Sequence, residues 1–212
     1  MDYIKIGNKY IDDFGIVTKF SISPAKRKEV KQDIPGRNGK LDYSEALTGF
    51  PTFENRTIKL ELSVIDSDIA HCRTKINALK NYIHGVNLDV VFPDDSDFYY
   101  SGVWAVDEDR KNPSCIDVTL TCDAFPYRRR LKDTVITKTL STSETTIKCN
   151  NLREPVVPTF ETTGNATIKF GTLSKTVGAG KHTLDIVFKA GENIVKASGT
   201  GTLKIIYREG GL

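Results

Sequence analysis

Residues 57–83 read TIKLELSVIDSDIAHCRTKINALKNYI, and two periods meet inside them. Ile58, Leu60, Leu62 and Val64 alternate with Thr57, Lys59, Glu61 and Ser63. Successive side chains of a strand point to opposite faces, so this run is a half-buried antiparallel strand, apolar on one side and polar on the other. From Ile69 the period lengthens: Ile69, Cys72, Ile76, Leu79 and Ile83 recur at spacings of three and four, with Arg73, Lys75, Asn77 and Lys80 off the stripe. That pattern predicts an amphipathic helix with an apolar face about 100° wide. Asp66 or Ser67 supplies a cap at its start and Gly85 a stop at its end. A helix with one wet face must bury the other against a sheet, so the first half of the chain is expected to be β-sandwich-like with one helix laid on it.

The neighbouring sequence extends the same reading. Phe14, Ile16, Phe20 and Ile22 are expected to share one face of a strand, and Ile116, Val118, Leu120 and Cys122 alternate with Asp117, Thr119 and Thr121. LDVVF and FYYSGVWAVDED read as paired strands joined by the turn PDDSD, in which Pro93 and the aspartates supply turn chemistry. Tyr100, Gly102 and Trp104 fall on one strand face and are expected to lie in the core beneath the helix. The first domain is placed at 1–130, closing on AFPYRRRLKD. Beyond it TVITKTL, ETTIKCNN, NATIKFG, HTLDIVFK, NIVKAS and GTLKIIYR are expected to be the strands of a sandwich occupying 131–212, with no helix. The fold class is therefore mainly β.

Composition narrows the function classes. The chain has 212 residues, of which 39% are hydrophobic and 27% charged, an ordinary balance for a globular protein. No apolar run approaches the roughly 18 residues that suggest a bilayer-spanning helix. The N-terminus MDYIKIGNKYIDD carries acids and alternates in polarity, unlike a signal peptide, so synthesis is expected to end in a cytoplasm. Net charge is +3, divided as about −1 over 1–130 and +4 over 131–212, and neither part resembles a polyanion binder. Cys72, Cys115, Cys122 and Cys149 form no CxxC pair and are read as thiols. Cys115 and Cys122, seven apart on one strand, point to opposite faces and cannot bridge each other.

Catalytic patterns are thin. His71 and His84, thirteen apart on the helix, lie far apart around its axis and cannot share a ligand; His182 stands alone. The acids Asp94, Asp95 and Asp97, and again Asp107, Glu108 and Asp109, sit where strands should turn, and solvated turn acids are favoured there over calcium ligands. Gly36-Arg37-Asn38-Gly39 lacks the Lys-Ser/Thr of a phosphate loop and reads as a tight turn. Lys26, Arg27, Lys28 and Lys31 form a basic run, read as protection of an exposed edge rather than an anion site. No catalytic residue, metal or cofactor is assigned, and the chain is expected not to be an enzyme. Surface contact remains. The stretch 35–50, PGRNGKLDYSEALTGF, is long for a loop in a compact domain, and its backbone groups must find water or another chain; a partner is expected to hold it.

Taken in order, these segments resemble the distal tail protein (Dit) family of long-tailed, non-contractile bacteriophages and their prophages. The residues that carry the resemblance are IGNKYIDDFGI, the loop GRNGKLDYSEALTG leading to NRTIKLEL, the single helix before a Gly-bounded strand, VTLTCDAFPYRR, and the closing GTLKIIYREGGL. The resemblance implies a virion structural protein of the tail tip or baseplate, assembled in the bacterial host cytoplasm. It also implies a homohexameric ring of first domains around a channel, with a galectin-like second domain facing outward. The implied partners are the tail tube protein, the tail-associated hub protein and receptor-binding proteins; DNA would pass through without sequence readout. In such a ring one patch meets a different patch on the next copy, and Arg37, Asn38, Tyr43 and Glu45 of the 35–50 loop are the expected subunit contacts. A carbohydrate-binding β-sandwich module is the chief alternative, and a hydrolase with convergent carboxylates a more remote one.

Overall fold

The computed structural model describes residues 4–112 and 115–212. The chain divides into two compact units, Met1–Pro126 and Tyr127–Leu212. The first contains β1 (Lys5–Ile6), β2 (Lys9–Tyr10), β3 (Ile16–Ile22), β4 (Lys31–Gln32), β5 (Leu41–Asp42), β6 (Arg56–Ile65), α1 (Ile69–Ile83), β7 (Asn87–Val91), β8 (Phe98–Asn112) and β9 (Cys115–Ala124). The second contains β10 (Arg128–Arg130), β11 (Thr134–Thr139), β12 (Thr145–Asn151), β13 (Thr159–Thr162), β14 (Ala166–Phe170), β15 (Leu173–Val177), β16 (Gly180–Thr183), β17 (Gly191–Gly199), β18 (Thr202–Tyr207) and β19 (Gly210–Gly211). The protein is mainly β with one α-helix among the described residues, as the periodicities predict.

In the first unit an antiparallel sheet runs β2-β1-β7-β8-β9-β6-β3. β6 and β9 pair along their whole lengths, from Arg56 opposite Ala124 to Ile65 opposite Cys115. Their alternation puts Ile58, Leu60, Leu62 and Val64 of β6, with Ile116, Val118, Leu120 and Cys122 of β9, into one core. α1 closes that core with Cys72, Ile76, Leu79 and Ile83, all buried. Each fully buried aliphatic side chain contributes about 1.5–3 kcal/mol. Trp104 and Tyr100 are buried on the same side, and the indole Nε1 donates to the Leu88 carbonyl at 3.3 Å, which satisfies its polar atom.

Three details differ from the expectations. The helix cap is Asp68, whose carboxylate accepts from the Ala70 amide at 3.1 Å; it directly precedes the first helical residue, while Asp66 turns to Lys75 at 3.0 Å. The strand Ile16–Ile22 carries a register shift between Val17 and Lys19. One extra residue reverses which side chains face the core, so Val17 and Ile22 pack inward while Ile16 is 61% exposed; Phe14 lies before the strand and is buried, and the Phe20 ring stacks on Phe92 at 5.2 Å. The 35–50 stretch is not a bare loop: β4 and β5 pair as Lys31 opposite Asp42 and Gln32 opposite Leu41, so part of its backbone is satisfied internally.

The second unit is a sandwich of two antiparallel sheets, β11-β18-β13-β16 and β12-β17-β14-β15. Ile147, Cys149, Ile168, Val195 and Ala197 of one sheet meet Phe160, Leu203, Ile205 and Tyr207 of the other in a single core. HTLDIVFK is strand only at its start: β16 ends at Thr183, after which Ile186 and Phe188 drop into the core and Phe188 bridges Val156. Thr159–Thr162 and Leu173–Val177 are strands where none was expected. No helix occurs among the described residues of this unit.

Candidate functional site

The residues capable of chemistry are scattered. His71 is exposed on α1, 3.6 Å from Asp66. His84 is the helix C-cap, and its Nδ1 accepts from the Val106 amide at 3.1 Å, which places the neutral ring's proton on Nε2. The His182 Nε2 lies 2.8 Å from the Gly178 carbonyl. Asp94 and Asp95 lie in the 3-10 turn Pro93–Asp95, with Asp97 just beyond it; Asp107 is exposed, and the side chains of Glu108 and Asp109 lie outside the described residues. No group of three His, Cys, Asp or Glu able to hold a metal occurs among the described residues, and no helix there is long and apolar enough to cross a membrane.

The thiols are equally unsuited to nucleophilic work. None of the four cysteines forms a disulfide. Burial pushes Cys122 up to about 12 and Cys149 up to about 11; burial, with the Asp117 carboxylate next in weight, raises Cys115. A buried thiol whose pKa is raised in this way is a poor nucleophile. A shallow groove on the polar face of the first unit's sheet is lined by Thr18, Glu61, Ser63, Asp117 and Thr119. Its acids are already engaged: Ser63 donates to Asp117 at 2.8 Å, and Glu61 is paired with Lys59 at 3.1 Å.

The features left are surfaces. The segment between β3 and β6 is mostly exposed, and its ribbon is held by contacts within itself: the Tyr43 amide donates to the Val30 carbonyl at 2.8 Å, the Lys28 amide to the Thr52 carbonyl at 2.9 Å and the Glu54 amide to the Lys26 carbonyl at 2.8 Å, the Val30 amide donates to Ser44 Oγ at 2.8 Å, and Arg27 pairs with Glu45 at 2.7 Å. Arg37 and Asn38 sit exposed at the ribbon tip, between Gly36 and Gly39, whose φ angles of 82° and 75° are left-handed values that glycine alone adopts without cost. Tyr43 follows β5 with its ring partly exposed. Arg37 and Asn38 thus cluster at the tip, while Tyr43 and Glu45 lie back along the ribbon. Sequence reasoning passed over the apolar residues of the same segment: Val30 is 60% exposed and Leu47 101%. Large apolar side chains recurring in a Gly-rich polar stretch were the available signal. At one edge of the sheet, β3 hydrogen-bonds to β6 alone among the described residues.

In the second unit the sugar-stacking alternative finds no ring to use. Tyr127, Phe160, Phe188 and Tyr207 are buried and Phe170 is half-buried, whereas a carbohydrate platform presents an aromatic face to solvent.

No family model matches the chain, and no curated protein does. Among solved structures, the Dit protein (gp 19.1) of phage SPP1, described as a paradigm of the hub adsorption apparatus in phages that infect Gram-positive bacteria, aligns with a TM-score of 0.73 at 16% identity. The alignment covers 99% of each chain. Along its whole length, the chain therefore has the fold of that phage distal tail protein.

Proposed function

We propose that this chain is a structural component of a bacteriophage tail tip, made in the bacterial host cytoplasm and built into the virion. In this reading six copies close into a ring whose 1–130 domains surround the channel, while the galectin-like 131–212 domains face outward. The ring connects the tail tube protein to the tail-associated hub protein and to adhesion proteins, and DNA crosses it without being read. The carrying observation is the whole-length likeness to a hub protein, since both units recur together and in order. Fold alone does not fix function; two local features support the same conclusion. The β3 edge offers unpaired backbone groups of the kind that subunits use to pair, and the ribbon presents exposed apolar side chains where neighbouring copies make contact.

Arg37, Asn38, Tyr43 and Glu45 are the subunit contacts in this account. Arg37→Ala combined with Tyr43→Ala is expected to shift the particle mass measured by light scattering toward the monomer, because both side chains are exposed and their loss leaves the fold intact. An unchanged oligomer mass removes the ribbon from the interface.

A further inference from the structure

The chain has eleven asparagines, and one of them, Asn38, is followed by glycine. We propose that Asn38 is a self-modification site at which the side-chain amide is lost without an enzyme, leaving aspartate and isoaspartate. The reaction needs the next residue's backbone nitrogen to reach the asparagine carboxamide carbon. A Cβ on that next residue obstructs the approach, and Gly39 has none. The location adds to this. In the single chain, before any ring contact covers them, both residues are exposed at the ribbon tip, and apart from its chain neighbours no atom lies within 4 Å of where a Cβ on Gly39 would be. No hydrogen bond engages the Asn38 side chain or the Gly39 amide among the described residues, so the two reacting groups themselves are unengaged, while the turn is closed around them by the Arg37 amide donating to the Ile34 carbonyl at 3.1 Å. Arg37 and Lys40 flank the pair; the Lys40 ammonium is paired with Asp33 at 3.5 Å, and the Arg37 charge favours the amide anion that attacks.

The bonds balance as follows. The Gly39 nitrogen gives its proton to hydroxide and attacks Asn38 Cγ; the N–Cγ bond forms, the Cγ–Nδ2 bond breaks, and ammonia departs after taking a proton from water. The resulting succinimide is opened by one water. Cleavage of N–Cγ gives aspartate, and cleavage of the bond from that nitrogen to the Asn38 backbone carbonyl gives isoaspartate with an extra methylene in the main chain. No electrons are transferred. Asparagine is among the thermolabile residue types. The product places a negative charge between Arg37 and Lys40, which alters the ribbon's electrostatics whatever it touches.

The test incubates the full-length protein in warm, mildly alkaline buffer and follows intact mass and peptide maps, beside an Asn38→Gln variant and a synthetic peptide spanning 34–42. The expected result is a mass gain equal to water minus ammonia, located at residue 38 before any other asparagine, and lost in the variant. Conversion at another asparagine first, or an intact protein that stays unchanged while the peptide converts fully, overturns the proposal.

Discussion

A methyl group at Gly102 has no room. A Cβ built there meets the Asp123 carbonyl oxygen, and also Ala124 Cα and Cys122 Sγ, each at 2.6 Å; two of these three atoms are main chain of β9 and cannot swing aside. Gly102→Ala is therefore expected to destabilise the protein by at least about 1–3 kcal/mol, read as a lower urea midpoint; an unchanged midpoint contradicts this packing. Asp66 makes a pH-dependent claim. The hydrogen bond from Lys75, then that from the Ser67 amide, lowers its pKa to about 2. Because folding lowers this pKa, the carboxylate's contribution is complete above the ordinary value of about 4 and disappears as the pH falls through about 2. The gap in thermal midpoint between the wild type and Asp66→Asn should be open at neutral pH, narrow as the pH falls from about 4 towards 2 and close below it; a gap that stays constant over that range refutes the assignment. Cys72, Cys122 and Cys149, all buried, should resist alkylation until denaturant is added, and prompt labelling of the folded protein contradicts their placement.

At the scale of elements, α1 rests on two separable contributions. Asp68→Ala removes the cap and is expected to cost about 0.5–2 kcal/mol. Ile76→Ala, at a site 1% exposed, is expected to cost about 2–5 kcal/mol because a cavity forms between helix and sheet. Equal effects in denaturant titrations would mean that the helix does not pack as described. Ile76 and the other buried faces were legible in sequence because long, uninterrupted periods report directly on which face is buried: α1 could be read from its spacing of three and four and β6 and β9 from alternation, whereas the cap fell to Asp68 and not to Asp66 or Ser67. What escaped detection involved breaks in period. The extra residue in β3 falls between Val17 and Lys19, so Ile16 turns outward opposite Ser63 while Phe20 and Ile22 lie opposite Leu60 and Ile58, and only a partner strand reveals such a bulge. β4 and β5 are two residues each, too short for any pattern. HTLDIVFK alternates well, yet it leaves its sheet after Thr183 and is next held by the Phe188–Val156 bridge and by the Asn151 and Asn193 side chains, which donate to the Phe188 and Lys189 carbonyls; alternation alone does not tell which partner such a segment meets. Among the proposed contacts, the Gly-bounded tip at Arg37 and Asn38 was visible as a turn, whereas the Arg27–Glu45 pair, eighteen residues apart, was not.

For the whole molecule, the account rests on copies of one chain meeting through unlike patches. A heterologous contact closes into a ring when its rotation divides the circle and otherwise runs on into a filament, and the equilibrium depends on protein concentration. The most direct measurement is electron microscopy of the concentrated, purified protein, with class averages sorted by symmetry. The account predicts closed annuli with six-fold symmetry and a central channel; isologous dimers, open filaments or single 23.6 kDa chains at every concentration would contradict it.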